Sequence, residues 1–271
     1  MHPIPVRRLT FEIPTADDFD PVYMARNAAV SYNFTGLGLY VALLEPFIVK
    51  SMRRVMDRIT DPALKEEVDR FCRQEAQHYQ QHERFNAVVL AHGYPGLQER
   101  VDRLADDFRS FLADRSDRFR IGFVEGFEAY TNQGALEILE SRVCDHPRTD
   151  PRFGHLFRWH MLEEIEHRNV AFDLYEHLFG GYLYRARMCW VAQSHILRFI
   201  RDCTKIMSAA DVARYGERCR IRPIEWAVLT VRPIGKRARS MLPGYSPHKY
   251  LVPGTIEAVA ARYSEMADNV S

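Results

Sequence analysis

Two short runs in the 271-residue chain have the same form: Glu75-Ala76-Gln77-His78 and Glu164-Ile165-Glu166-His167 are both Glu-x-x-His. On an α-helix, positions i and i+3 lie about 60° apart, so each Glu shares a face with its His. Carboxylate and imidazole together suit a first-row transition metal. One such tetrapeptide carries little weight. Two copies in separate long helical stretches point to a pair of metal ions held between helices. Such a centre needs one more carboxylate from each of two further helices. The first stretch offers Glu45, set among Leu43, Leu44, Phe47 and Ile48. A later one offers Glu125 and Glu128, among Ile121, Phe123, Phe127 and Tyr130. A lone carboxylate in such surroundings is costly unless it is paired or bound to a cation.

His160 precedes Glu164 by four residues, and the helical wheel turns it to the same centre. It is expected as a third imidazole ligand, with His82, four residues after His78, in reserve. Asn132, one turn beyond Glu128, is expected as a catalytic side chain touching oxygen or substrate. Glu163 and Glu166 fall on another face and are expected in solvent or in ion pairs. Gly122 and Gly126 are expected to serve helix packing.

The elements that must position these residues are helical. A first helix is predicted over Gly36 to Ile59, with a kink or fresh start at Pro46. Asp61-Pro62 opens a second, which Gly93-Tyr94-Pro95-Gly96 stops. A charged surface helix follows over Leu97 to Ala113. Ser116 or Asp117 caps one that reaches Cys144, and Asp150-Pro151 opens one that runs to Gly180. Further helices are predicted over Tyr182 to Met207, Ser208 to Arg220 and Gly254 to Asp268. Irregular or broken helix is expected over Ile221 to Pro253. No window alternates as strands do. The fold class is therefore all-α: a four-helix bundle core with additional C-terminal helices. Residues 1–271 are expected to form one domain, with 1–20 as an N-terminal arm and 182–271 covering the metal centre.

The motifs resemble those of bacterial proteins catalogued as predicted metal-dependent hydrolases. The matching runs are Gln74 to His78, His82, Arg84-Phe85-Asn86, Trp159-His160, Glu163 to His167 and Ala171-Phe172-Asp173. The resemblance covers roughly residues 30–200 and selects Glu128 over Glu125, through Phe127-Glu128-Ala129-Tyr130-Thr131. Ala42-Leu43-Leu44-Glu45 departs from the family's Pro-x-Gly-Glu. The ligand pattern is also similar to that of ferritin-like non-haem di-iron oxygenases, including arylamine N-oxygenases. That similarity implies two iron ions held by Glu45, Glu75, His78, Glu128, His160, Glu164 and His167, with O2 as cosubstrate. It implies a monooxygenase that hydroxylates a C–H bond of a small, mostly apolar natural product such as a terpenoid. An external electron donor, a reductase partner, would be required, since no Gly-x-Gly-x-x-Gly fingerprint is present. N-oxygenation of an amine and di-metal hydrolysis are the alternative readings.

Composition bounds these expectations. Lys and Arg total 37 against 36 Asp and Glu, a net charge of +1, without the basic excess of a nucleic-acid binder. Five cysteines, none in Cys-x-x-Cys spacing, argue against a disulfide framework and for a cytoplasmic protein. The apolar stretch from Phe34 to Val49 is shorter than the ~20 residues of a membrane span. A homodimer is allowed. Arg185, Arg187, Arg198 and Arg201 are read as a solvated basic face or as contacts for an anionic group of the substrate.

Overall fold

The computed structural model describes residues 4–268, so the first three residues of the expected arm lie outside it. Among the described residues the chain is helical and contains no strand. Helix α1 (Ala28–Arg53) starts earlier than the apolar pattern suggests, because Asn27 caps it by accepting from the Val30 N–H. It runs through Pro46 without a new start. Proline removes one backbone donor, and the buried residues on both sides of it hold the helix together. Asp61 caps α2 (Pro62–Ala91) through the N–H groups of Ala63 and Leu64. Helix α3 (Leu97–Asp114) follows, and Ser116 caps α4 (Asp117–Ser141). Asp150 caps α5 (Pro151–Glu166).

The sequence pattern carries α5 on to Gly180, but the helix stops at Glu166 and α6 (Val170–Leu178) resumes after a turn. The turn is held from outside, because Asn132 of α4 donates from Nδ2 to the Arg168 carbonyl at 3.0 Å. Helix α7 (Tyr182–Tyr215) absorbs most of the separate helix expected after Met207. Helix α8 (Pro223–Ser240) replaces much of the expected irregular segment and contains Pro233. Helix α9 (Thr255–Asp268) ends the described chain.

Helix α1 packs on α2 and α4 on α5, while α7 lies across α1 and α4. Helix α8 rests on α4 and α7, and α9 on α5. By length and composition α1 is apolar enough to cross a membrane, yet 72% of that window is buried inside the protein. Its apolar surface is thus used by the core. The N-terminal arm joins the same core through Ile4, Leu9 and Phe11. The five cysteines are buried and unbridged.

Arg185 corrects the reading of a basic face. It is buried, pairs with Glu125 at 3.1 Å and donates to the carbonyls of Ser240 and Leu242. One guanidinium therefore ties α4, α7 and the end of α8 together.

Gly126 sets how closely α4 approaches α7. A Cβ there would lie 2.7 Å from the Met188 carbonyl oxygen and 2.8 Å from the Cys189 Cα. At Gly122 the nearest atom would be Met188 Cγ at 2.9 Å, part of a flexible side chain. Gly126→Ala is expected to destabilise the fold by about 1–3 kcal/mol in chemical denaturation. Gly122→Ala is expected to cost less, because Met188 can rotate away. Equal costs at both positions would contradict this account of the α4–α7 contact.

Candidate metal centre

Four helices bring their chemistry-bearing residues to one place. Glu45 comes from α1, Glu75 and His78 from α2, and Glu128 from α4. His160 and Glu164 come from α5, and His167 from just beyond its end. None is more than 2% exposed. His167 has left helical geometry, but its N–H still bonds to the Glu163 carbonyl at 3.1 Å. The Glu164–His167 spacing therefore survives the break in the helix.

The seven side chains form two sets. Ligand atoms of Glu45, His78 and His160 lie within 4.8 Å of one another, and so do those of Glu75, Glu128, Glu164 and His167. Two glutamates face both sets. Glu75 places Oε2 3.7 Å from His78 Nδ1 and Oε1 3.4 Å from His167 Nε2. Glu164 places Oε1 3.0 Å from His160 Nε2 and Oε2 3.8 Å from His167 Nε2.

Most of the atoms turned inward lack partners; His160 is the exception, with Nδ1 2.8 Å from His82 Nε2 and Nε2 3.0 Å from Glu164 Oε1. Both oxygens of Glu45 and of Glu128, Glu75 Oε1, Glu164 Oε2, His78 Nδ1 and His167 Nε2 are buried and make no hydrogen bond. Buried polar atoms are ordinarily satisfied. So many orphans in one place, all carboxylate oxygens or ring nitrogens, match the donor set of divalent metal ions.

A second layer fixes which ring nitrogens face inward. His78 Nε2 lies 3.0 Å from Glu163 Oε2, so that nitrogen carries the proton and the Nδ1 lone pair points to the cluster. His167 Nδ1 lies 3.0 Å from Gln74 Oε1, which leaves the Nε2 lone pair inward. The Gln74 amide is oriented by donating to the Pro5 carbonyl at 2.7 Å and to Glu166 Oε2 at 3.1 Å. Glu163 also accepts from Trp159 Nε1 at 2.7 Å and Arg7 Nη1 at 3.1 Å. Arg7 in turn grips Glu166 with both terminal nitrogens, at 2.8 and 2.7 Å. Acceptors behind a ligating histidine are the usual means of aiming it at a metal.

The sequence shows only part of this layer. Glu163 and Glu166 make ion pairs, one of the two expected outcomes, both with Arg7, but Glu163 is fully buried. Gln74 stood out only as part of the matching run, and Arg7 not at all. Arg7 stands 156 residues from Glu163, and no local pattern links them. Glu163 had one available signal, its position four residues after Trp159.

The remaining candidates fall outside both sets. Glu125 is taken by Arg185, and Cys189 Sγ approaches it at 3.4 Å. His82 stands behind His160, with its Nε2 2.8 Å from His160 Nδ1. Asn132, expected to touch oxygen or substrate, holds the turn after His167; its Oδ1 is buried without a partner.

Charge is the dominant problem of the cluster. Burial, then the neighbouring carboxylates, push Glu45 and Glu128 well above the ordinary carboxylate value. Burial also works against ionisation of Glu164, but contacts with His160 and His167 outweigh it and hold Glu164 well below. Burial lowers His82 and His160, and the neighbouring imidazoles they face add to this. For His78 burial is outweighed by Glu163 and Glu75, which raise it well above the ordinary value.

The sequence model of one protein family, described as a predicted metal-dependent hydrolase, matches residues 5–253. The chain belongs to that family. No curated protein and no solved structure matches the chain. The family description corrects the expectation of an oxidoreductase: it names a hydrolase, so the monooxygenase reading with O2 as cosubstrate is overturned. Metal dependence itself agrees with the two buried ligand sets.

Two outcomes follow from the geometry. Arg7→Gln leaves Glu163 and Glu166 without their shared cation, so His78 and His167 lose their aim. Metal affinity in this hydrolase-family protein should fall about 10- to 100-fold in chelator competition, and an unchanged affinity would show that Arg7 does not govern the histidines. The second concerns pH. A group whose folded value lies above its unfolded one stabilises the fold below the unfolded value and loses that contribution as pH rises through the folded one. Glu45, Glu128 and His78 are of this kind, and so is Glu125, raised by burial to about 7. The groups with lowered values reach their full contribution above about pH 6.5. Metal-free protein should therefore lose thermal stability as pH rises above about 6.5, and metal-loaded protein should lose much less. Parallel melting curves for the two forms would refute the assignment.

Proposed function

We propose that this protein is a hydrolase whose reaction runs at a dinuclear metal centre held by Glu45, Glu75, His78, Glu128, His160, Glu164 and His167. The carrying observation is that Glu75 and Glu164 each face both ligand sets. They would thus help to hold both cations, while Glu45 faces one set and Glu128 the other. Helices α1, α2, α4 and α5 serve in this reading as a ferritin-like four-helix core. The ligand order along the chain supports it: one carboxylate, one Glu-x-x-His, then the same again. The mixed oxygen and nitrogen donors suit manganese, iron or zinc.

Divalent cations bound here would supply Lewis acidity and lower the pKa of water for attack on an ester, amide or phosphate bond. The chain's own residues hold and orient. His78 and His167 present lone pairs because their far-side N–H groups donate to Glu163 and Gln74. Glu45 and Glu128 supply charge that the dry core leaves uncompensated. His82 and His160 form a hydrogen-bonded pair ending at Glu164. Asn132 anchors the Arg168 carbonyl and so keeps His167 where α5 ends. The burial of all seven side chains excludes bulk water, which strengthens every electrostatic contact among them.

The test is anaerobic. Protein stripped of metal and reloaded with manganese, zinc or ferrous ion should bind about two ions per chain. It should hydrolyse members of a panel of aryl esters, anilides and aryl phosphates without O2, and chelation should abolish turnover. Full loading with no turnover across the panel would count against hydrolysis at this centre, whereas one ion per chain would overturn the dinuclear assignment.

A further inference from the structure

Helix α7, helix α8 and the N-terminal half of α1 enclose a cleft of about 290 Å³. It shares no lining residue with the metal centre. Asn33 in its wall lies about 18 Å along α1 from Glu45. Three arginines line the cleft, Arg198 and Arg201 from α7 and Arg237 from α8, and no carboxylate does.

Elsewhere in the chain some exposed arginines have acidic partners, as in Arg53–Asp69, Arg103–Glu99 and Arg220–Glu217. The cleft differs in gathering three guanidinium groups with no carboxylate in its wall. Arg198 makes no ion pair among the described residues. Arg201 reaches only its neighbour Asp202, at 3.4 Å. Arg237 donates from Nη2 to Ser194 Oγ at 2.7 Å and lies over the Trp190 ring at 4.2 Å. Its Nε is buried without a partner, as is the Thr204 hydroxyl in the same wall. Burial lowers the Arg237 value, so an anion nearby would restore stabilisation that desolvation removes. Much of the remaining wall is apolar, with Leu197, Ile200, Trp226 and Leu229, beside the polar Asn33, Ser194 and Thr230. A solvated basic face would not need an apolar recess beside it.

We propose that this cleft binds a small amphiphilic anion, its single phosphate or carboxylate head between the arginines and its apolar body against Trp226 and Leu229. Guanidinium forks match both head groups. The site stands apart from the hydrolytic centre and does not depend on what that centre does.

The test uses the full chain, metal-loaded and metal-free, with octyl phosphate and octanoate as probes. Octanol controls for the apolar body and inorganic phosphate for the head group. Binding is read by calorimetry and by Trp fluorescence, with Trp226→Phe identifying the reporter. Saturable binding of octyl phosphate, octanoate or both is expected, with octanol and inorganic phosphate much weaker. Which amphiphile binds more tightly identifies the preferred head group. Arg198 and Arg201 are exposed, so Arg198→Gln/Arg201→Gln should melt like the parent while binding at least about tenfold more weakly, the loss expected for a charge-assisted hydrogen bond. The proposal is overturned if neither amphiphilic anion binds, if octanol binds as well as they do, or if the double variant binds unchanged.

Discussion

Four carboxylates turned toward one another in a dry core form the constraint on which the rest of the structure depends. Glu45, Glu75, Glu128 and Glu164 are all buried. Unpaired ionised groups in such an environment repel one another and give up their hydration, a cost of several kcal/mol per ion even after relaxation. The protein without metal can answer only by protonating some of them and leaning others on histidine. Two divalent cations would carry as much positive charge as the four carboxylates carry negative. The neighbouring ion pairs leave that balance undisturbed, since Glu163 and Glu166 are answered by Arg7, and Glu125 by Arg185.

The same constraint explains why the site needs support from distant parts of the chain. Helices α2 and α5 deliver the two Glu-x-x-His faces, but a helix face alone does not fix an imidazole's rotation or its protonated nitrogen. Glu163 and Gln74 do that, and both depend on the N-terminal arm through Arg7 and the Pro5 carbonyl. The arm packs its own apolar residues into the core. What reads as an extended tail in sequence thus forms part of the wall behind His78 and His167.

This division marks how far the sequence is legible. The seven cluster residues announce themselves because their spacing is local: i to i+3 on a helix, or a lone acid in an apolar run. The choice of Glu128 over Glu125 needed the family resemblance, since both lie on one side of α4. The structure gives the physical reason, as Arg185 on α7 occupies Glu125. The end of α5 at Glu166 could not be read, because the group that steadies the turn is Asn132 on another helix. Pro46 and Pro233 lie inside continuous helices, so neither starts a new one. Each removes one backbone hydrogen bond, a local loss that the packing of α1 and α8 outweighs.

The mistaken expectation of oxygen chemistry has a physical root as well. A ligand pattern specifies charge, donor type and approximate spacing, and these determine whether two hard or borderline cations are held. They do not determine what the cations are used for, because activating water and moving electrons both begin from carboxylate and imidazole donors on a rigid frame. Function lives in the site as a whole and not in the fold that carries it. For this chain the hydrolase description spans nearly the whole sequence, whereas the di-iron similarity rested on the ligand motifs alone. The wider match therefore weighs more for the reaction class, and the motifs keep the narrower job of naming the side chains that the fold gathers into the two buried sets.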